Sequence, residues 1–209
     1  RMKSALKAMG YDESVFKVML IQFVSLKRGG EKGSMSTRSG EFETLAEVIK
    51  DVGLDATRFF FLMRSSDTHL DFDLELAKKE SADNPVFYIQ YAHARICSIF
   101  RKATENGIKL LDSADIDLSP LKNEEEFIMI KKILSFGETI EKSAELLEVH
   151  RIAFYLKDLV GTFHRYYSRN RIVSDDHALS SARLFLMNCL RITIRNVLSV
   201  MGVSAPDRM

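Results

Sequence analysis

Asn84-Pro85-Val86-Phe87-Tyr88-Ile89-Gln90-Tyr91-Ala92-His93-Ala94-Arg95-Ile96 predicts the start of a long helix. Asn84 is a side-chain cap, and Pro85 suits the first helical position because its missing N–H is not needed there. Neither Gly nor Pro follows until Gly107. Ile89, Ala92, Ile96, Ile99, Phe100 and Ala103 recur at helical spacing and form one apolar face. Tyr88, Tyr91, Arg95 and Lys102 form a second stripe beside it, so aromatic and cationic groups share one edge of a packed helix. Two readings of that edge are open. The tyrosines can sit at the rim of a core with their hydroxyls in water, while Arg95 lays its stem along the surface. Alternatively their faces stack on unpaired bases while Arg95 and Lys102 meet phosphate, as single-stranded RNA loops are held.

The surrounding chain bounds the choice. Its 209 residues, 46% of them hydrophobic, suffice for a proper core in one large or two modest domains. No apolar run approaches membrane-spanning length, and Arg1-Met2-Lys3-Ser4-Ala5-Leu6-Lys7 lacks the apolar segment of a signal peptide, so a cytoplasmic address is expected. The abrupt, uncapped start reads as a piece of a longer protein. Cys97 and Cys189 sit in apolar helical patterns and are expected to be reduced, buried and structural. The histidines show no ligand-type spacing with each other or with cysteine, and no metal is expected. A net charge of +1 conceals an asymmetry. Residues 123–149 carry Glu124, Glu125, Glu126, Glu138, Glu141, Glu145 and Glu148, whereas 150–171 carry Arg151, Lys157, Arg165, Arg169 and Arg171. The second segment suits a polyanion and the first does not; both are also compatible with ordinary solvated helix faces.

In chain order, residues 1–10 predict a short basic amphipathic helix closed by Gly10, and 15–26 the end of a strand before a turn-rich basic segment. Gly33-Ser34-Met35-Ser36-Thr37-Arg38-Ser39-Gly40 is a small-residue loop of the kind that wraps phosphate, a weak pattern by itself. Thr44 and Glu47 spell a capping box, Gly53 stops that helix, and Asp55 is expected to cap the next, in which Phe59, Phe60, Phe61 and Leu62 must be buried. Asp71 and Asp73 read as turn and cap residues. Helical periods follow over 124–134, 139–147 and from Ile152 to Phe163, the last ending in His164-Arg165-Tyr166-Tyr167 beside further arginines. Tyr167 fits a base-stacking position and a last core position equally well. The final helix, over 178–201, is apolar nearly all round except for Asn188, Arg191 and Arg195, and should be central to a bundle. Gly202 ends it, leaving a tail that docks or dangles.

Together these stretches resemble the arginyl-tRNA synthetase family of class I aminoacyl-tRNA synthetases. The resemblance runs through Met35-Ser36-Thr37-Arg38-Ser39-Gly40, Gly53-Leu54-Asp55-Ala56-Thr57-Arg58-Phe59-Phe60-Phe61-Leu62-Met63-Arg64 and His69-Leu70-Asp71-Phe72-Asp73-Leu74. It continues through the Asn84 to Arg95 stretch and Phe163-His164-Arg165-Tyr166-Tyr167 to Gly202-Val203-Ser204-Ala205-Pro206-Asp207-Arg208-Met209. Several long, ordered matches are far more specific than one short motif.

What the resemblance implies is a mainly α fold in a carboxy-terminal portion of the enzyme. Residues 1–44 would be a small α/β remnant of the catalytic nucleotide-binding domain, 45–83 a helical connector, and 84–209 a DALR-type helical anticodon-binding domain. The HIGH signature is absent, so no catalytic set is complete and this segment alone is expected to be inactive. The second signature, KMSKS, falls on Ser34, Met35, Ser36, Thr37 and Arg38, with Ser34 and Thr37 in place of lysines, which throws more of the ATP contact onto Arg38, Ser36 and backbone N–H groups. The intact family activates arginine with ATP, assisted by Mg²⁺, and transfers it to tRNA-Arg. The anticodon contacts implied are Tyr88, Tyr91 and Tyr167 for base stacking and packing, Arg95 as a polar contact, and the terminal Met209. Neither DNA nor a membrane is an expected partner. The alternatives are a helical scaffold using the acidic segment as its outer surface, and the equivalent region of another class I synthetase such as the cysteinyl enzyme.

Overall fold

The computed structural model describes residues 1–28, 31–32, 44–108 and 116–209. Among them the chain is mainly α, with nine helices and one small sheet. Helix α1 (Met2–Ala8) is followed, through a short 3-10 turn, by strands β1 (Val24–Arg28) and β2 (Glu31–Lys32). Helices α2 (Leu45–Val52) and α3 (Leu54–Leu62) lead to β3 (Leu70–Asp73) and α4 (Leu74–Lys78). The sheet order is β2-β1-β3, with β1 antiparallel to β2 and parallel to β3, in a register that sets Leu26 opposite Phe72. The sheet therefore joins residues on both sides of the boundary expected at 44. Leu70 and Phe72 point inward, and the Phe72 ring meets Phe60 edge-on at 5.4 Å, so the aromatic run of α3 closes over the sheet.

Two expectations change here. Asp71 lies within a strand rather than a turn, its carboxylate 2.9 Å from the Lys27 ammonium, while Asp73 does cap α4 by accepting from the Leu76 N–H. The strand read over 15–26 is confined to Val24–Arg28, because among the described residues β2 and β3 run beside that part alone. Upstream, Leu20, Ile21 and Phe23 are exposed.

The bundle is built on α5 (Pro85–Glu105), α6 (Glu124–Leu134), α7 (Phe136–Leu146), α8 (His150–Arg169) and α9 (His177–Val200). Asn84 caps α5 as its residue type predicts, accepting from the Val86 N–H, and its buried amide also donates to the carbonyls of Ala77 and Lys79. One side chain thus starts the helix and ties it to α4. Ile89, Ala92, Ile96, Ile99 and Ala103 are buried against α8 and α9. Helix α9 contributes Leu186, Met187, Leu190, Ile194 and Val197 to the same core, which accounts for its nearly continuous apolar character.

The acidic segment is not uniformly an outer face. Glu126 is fully buried at the start of α6, where it accepts from the Tyr166 hydroxyl at 2.6 Å, Arg183 Nε at 2.8 Å and the Asn123 N–H at 3.1 Å. Glu125 beside it pairs with Arg169. Tyr166, grouped in the sequence with His164, Arg165 and Tyr167 at the end of the helix, is fully buried and supplies a hydroxyl to this internal carboxylate.

Candidate nucleic-acid interface

Along α5, positions 91, 95, 98 and 102 fall on one stripe, and 90, 93, 97 and 101 on the stripe beside it. The first meets the end of α8 and the second carries the chain's last eight residues. Where all three come together, a cleft of about 470 Å³ opens, bordered by Tyr91, Arg95, Arg101, Lys102, Tyr167 and Met209. Its focus is Arg95. The guanidinium carbon stands 4.6 Å from the Tyr91 ring centre and 5.0 Å from that of Tyr167, and Nη2 donates to the Tyr91 hydroxyl at 2.7 Å. A cation held against two aromatic faces loses rotamer freedom in advance, so its remaining donors are already aimed when a ligand arrives.

Behind this group lies a cluster of rings. His164 stacks on Tyr91 with centres 6.3 Å apart and planes 14° from parallel, and packs 4.4 Å from Tyr88. Phe163 backs His164 and Tyr167, while Phe87 lies nearly parallel to Tyr91 at 6.1 Å. Burial holds the His164 imidazole below its ordinary pKa, partly opposed by its bond to the Tyr88 carbonyl and reinforced by the positive charge of Arg95. A neutral imidazole donating from Nε2 fits that contact. Burial likewise pushes the Tyr88 phenol up, chiefly by loss of water.

The last eight residues dock. Arg58 on α3 donates to the Gly202 carbonyl at 2.5 Å. Asp55, one turn earlier, accepts from the Ser204 N–H and hydroxyl, and Gln90 donates to both Asp55 and the Ser204 carbonyl. Further along, His93 Nδ1 bonds the Pro206 carbonyl at 3.0 Å, the Cys97 thiol donates to Asp207, and Arg101 donates to the Asp207 carbonyl. Met209 then reaches the cleft. Asp55 is consequently not the cap of α3, whose N-cap is Gly53 with no side-chain bond.

Of the residues the sequence singled out, Tyr88, Tyr91, Arg95, Tyr167 and Met209 are brought to one end of the bundle. Tyr91 stands at the cleft mouth, Tyr167 is half-buried in its wall, and one face of Tyr88 is taken by His164. Ser34, Met35, Ser36, Thr37 and Arg38 lie outside the described residues. His164 and Asp55 were missed as members of this assembly; the signal for His164 was its place within the Phe163 to Tyr167 run. The expectation of no ligand-type spacing between histidine and cysteine is corrected here, since His93 and Cys97 lie one helical turn apart on α5. With Asp207 they place three ligand-type atoms within 4.8 Å of one another, but the His93 proton and the Cys97 thiol are engaged with residues 206 and 207. The thiol is held protonated by burial and by the Asp207 carboxylate.

Residues 89–209 match the model of the DALR anticodon binding domain, and the chain belongs to that family. Over its whole length it is also 49% identical to the arginine–tRNA ligase of Syntrophotalea carbinolica, and it spans 38% of the length of that protein. Among solved structures it superimposes on one from Campylobacter jejuni described as an arginyl-tRNA synthetase, with a TM-score of 0.86 and 33% identity, covering all of this chain and 44% of that one. The arginyl-tRNA synthetase of Thermus thermophilus gives a TM-score of 0.68 at 25% identity, covering 88% of this chain and 34% of that one. The resemblance read from the sequence, and the mainly helical fold it implied, are borne out over the portion spanned.

Proposed function

We propose that the cleft between α5, α8 and the last eight residues binds the anticodon loop of tRNA-Arg, and that this chain serves as the anticodon-reading part of an arginine–tRNA ligase. The observation that carries the reading is Arg95 held between the faces of Tyr91 and Tyr167 at a cleft bordered by Arg101 and Lys102. Unstacked bases need flat faces and fixed donors, and their phosphates need nearby cations. Tyr91 and Tyr167 supply the faces, Arg95 the donors, and Met209 an apolar wall. Tyr88 acts with His164 as packing behind them.

In the whole enzyme, arginine, ATP and Mg²⁺ enter at a catalytic domain of which residues 1–44 are the remnant, 45–83 forming the connector and 84–209 the anticodon domain. Ser34, Met35, Ser36, Thr37 and Arg38 are its ATP loop, and the chain by itself is inactive. The exposed Leu20, Ile21 and Phe23 are the face that the rest of the enzyme covers. The address is cytoplasmic; no helix among the described residues is long and apolar enough to cross a membrane.

The test is binding of the chain to tRNA-Arg and to the same tRNA with its central anticodon base changed, at two salt concentrations, for wild type and Tyr91→Ala. Wild type should discriminate between the two and weaken with salt, and Tyr91→Ala should lose about 1–3 kcal/mol, the worth of one stacked base. Equal binding of both tRNAs, indifferent to Tyr91, would reject the reading in favour of nonspecific electrostatics.

A further inference from the structure

We infer that residues 202–209 form a strap that positions the base cleft, and that Asp55 on α3, which does not border the cleft, is a positioning residue that tightens it. This rests on the anticodon reading proposed above and adds to it the element that holds the cleft's apolar wall in place.

The strap is bonded at every stage of its course. At its entrance Gly202 has a φ of +67°, and a Cβ there would come within 2.9 Å of Arg58 Nη1. Glycine suits the left-handed backbone, and a side chain there would push aside the guanidinium that holds its carbonyl. In its middle Asp55 accepts both polar hydrogens that Ser204 offers, while the Gln90 amide bridges Asp55 and the Ser204 carbonyl. The bonds that end on Asp55 have a charged acceptor, the stronger kind. At its far end His93, Cys97 and Arg101 hold residues 206 and 207. Met209 follows at the cleft with Arg208.

An untethered segment of this length samples many conformations and pays for ordering each time a ligand needs it. Here the ordering is done beforehand, and two of the holding residues, Asp55 and Arg58, belong to α3 rather than to the bundle. From Ser204 to Met209 is five residues, at most about 18 Å of extended chain. Loosening Ser204 therefore removes the α3 share of the hold on the strap and slackens the wall of the cleft, residues 206 and 207 keeping their bonds to α5, without touching Tyr91, Arg95 or Tyr167. It also makes the cleft depend on how α3 sits against α5, which gives the connector a mechanical hold on base recognition.

The experiment uses the 209-residue chain with ¹³C-methyl methionine, Met209 being assigned by Met209→Leu. Asp55→Ala and Ser204→Ala are compared with wild type by the Met209 methyl signal and by the ratio of affinities for the two tRNAs. Tyr91→Ala is the control, and thermal unfolding checks that each variant is folded. Ser204→Ala deletes one hydroxyl and keeps the fold accessible should Asp55→Ala fail.

The expected result is a shifted Met209 signal in both variants and a loss of about fivefold in discrimination, the low end of couplings between distinct sites, with an unchanged salt slope. An unchanged Met209 signal overturns the strap whatever the tRNA data show. A released Met209 with discrimination intact, while Tyr91→Ala still abolishes it, overturns the positioning role and leaves the anticodon reading standing. Absence of discrimination in wild type overturns both.

Discussion

Replacing Glu126 by alanine removes the acceptor around which α6, α8 and α9 meet. The carboxylate is fully buried, and one oxygen receives both the Tyr166 hydroxyl and Arg183 Nε. Removing one member of a buried ion pair costs about 3–5 kcal/mol, because the other charge is left without compensation. A buried hydroxyl stripped of its acceptor adds about 1–3 kcal/mol when counted alone. The two do not add, since they share an oxygen. Arg183 also keeps its bond to the Arg171 carbonyl at 2.7 Å and its side chain is 13% exposed, both of which favour the lower bound. The expected loss is about 3 kcal/mol, or a fall in Tm of about 6–12 °C for a chain of this size. Urea unfolding should show a lower midpoint at constant slope. The double variant Glu126→Leu with Arg183→Met should recover most of the loss, as apolar replacement of a buried pair often does. A loss in Glu126→Ala below about 1 kcal/mol, or a double variant no better than the single, would refute this account. Because Tyr166 adjoins Tyr167, the tRNA binding proposed above should weaken along with the loss.

Two further outcomes follow from the structure. His164 has its pKa held below the ordinary 6.5 by burial, so the unfolded chain binds more protons than the folded one below that value. Stability is then full above about pH 6.5 and declines as pH falls toward the folded pKa; His164→Phe should flatten that acid limb in thermal unfolding, and an identical limb in the variant would exclude His164 as its source. Asn84→Ala removes the cap of α5 and leaves two carbonyls, of Ala77 and Lys79, without their donor. A loss of about 2–4 kcal/mol by chemical denaturation is expected, more than a cap alone supplies, and a value near 1 kcal/mol would mean that only the cap matters.

Much of this arrangement was legible from local chemistry. Asn84-Pro85 starts α5 because a side-chain acceptor and a residue without an N–H solve the same problem, that of the free donors at a helix start. Thr44 with Glu47 does so for α2 by a reciprocal capping box, and the period of the apolar residues of α5 chose its buried face. The tyrosine and arginine stripe was visible for the same reason, since residues three and four apart on a helix are neighbours. What misled was equally local. An aspartate in a helix's first turn ordinarily caps it, and Asp55 is turned instead toward Ser204, a residue 149 positions away. A glutamate amid glutamates ordinarily faces water, and Glu126 faces Tyr166 and Arg183.

Sequence by itself therefore determined where α2 and α5 begin, which face α5 buries, and that aromatic and cationic groups line one edge of it, because each depends on spacing within a few residues. Only the tertiary structure decided that α8 delivers Tyr167 and His164 to that edge, that β3 completes a parallel pair with β1, and that the last eight residues run along α5 to bring Met209 beside Arg95. Those facts depend on where distant segments come to rest. That is set by the packing of whole faces and by single buried partners such as Glu126 and Asp55, whose counterparts lie far away in the chain.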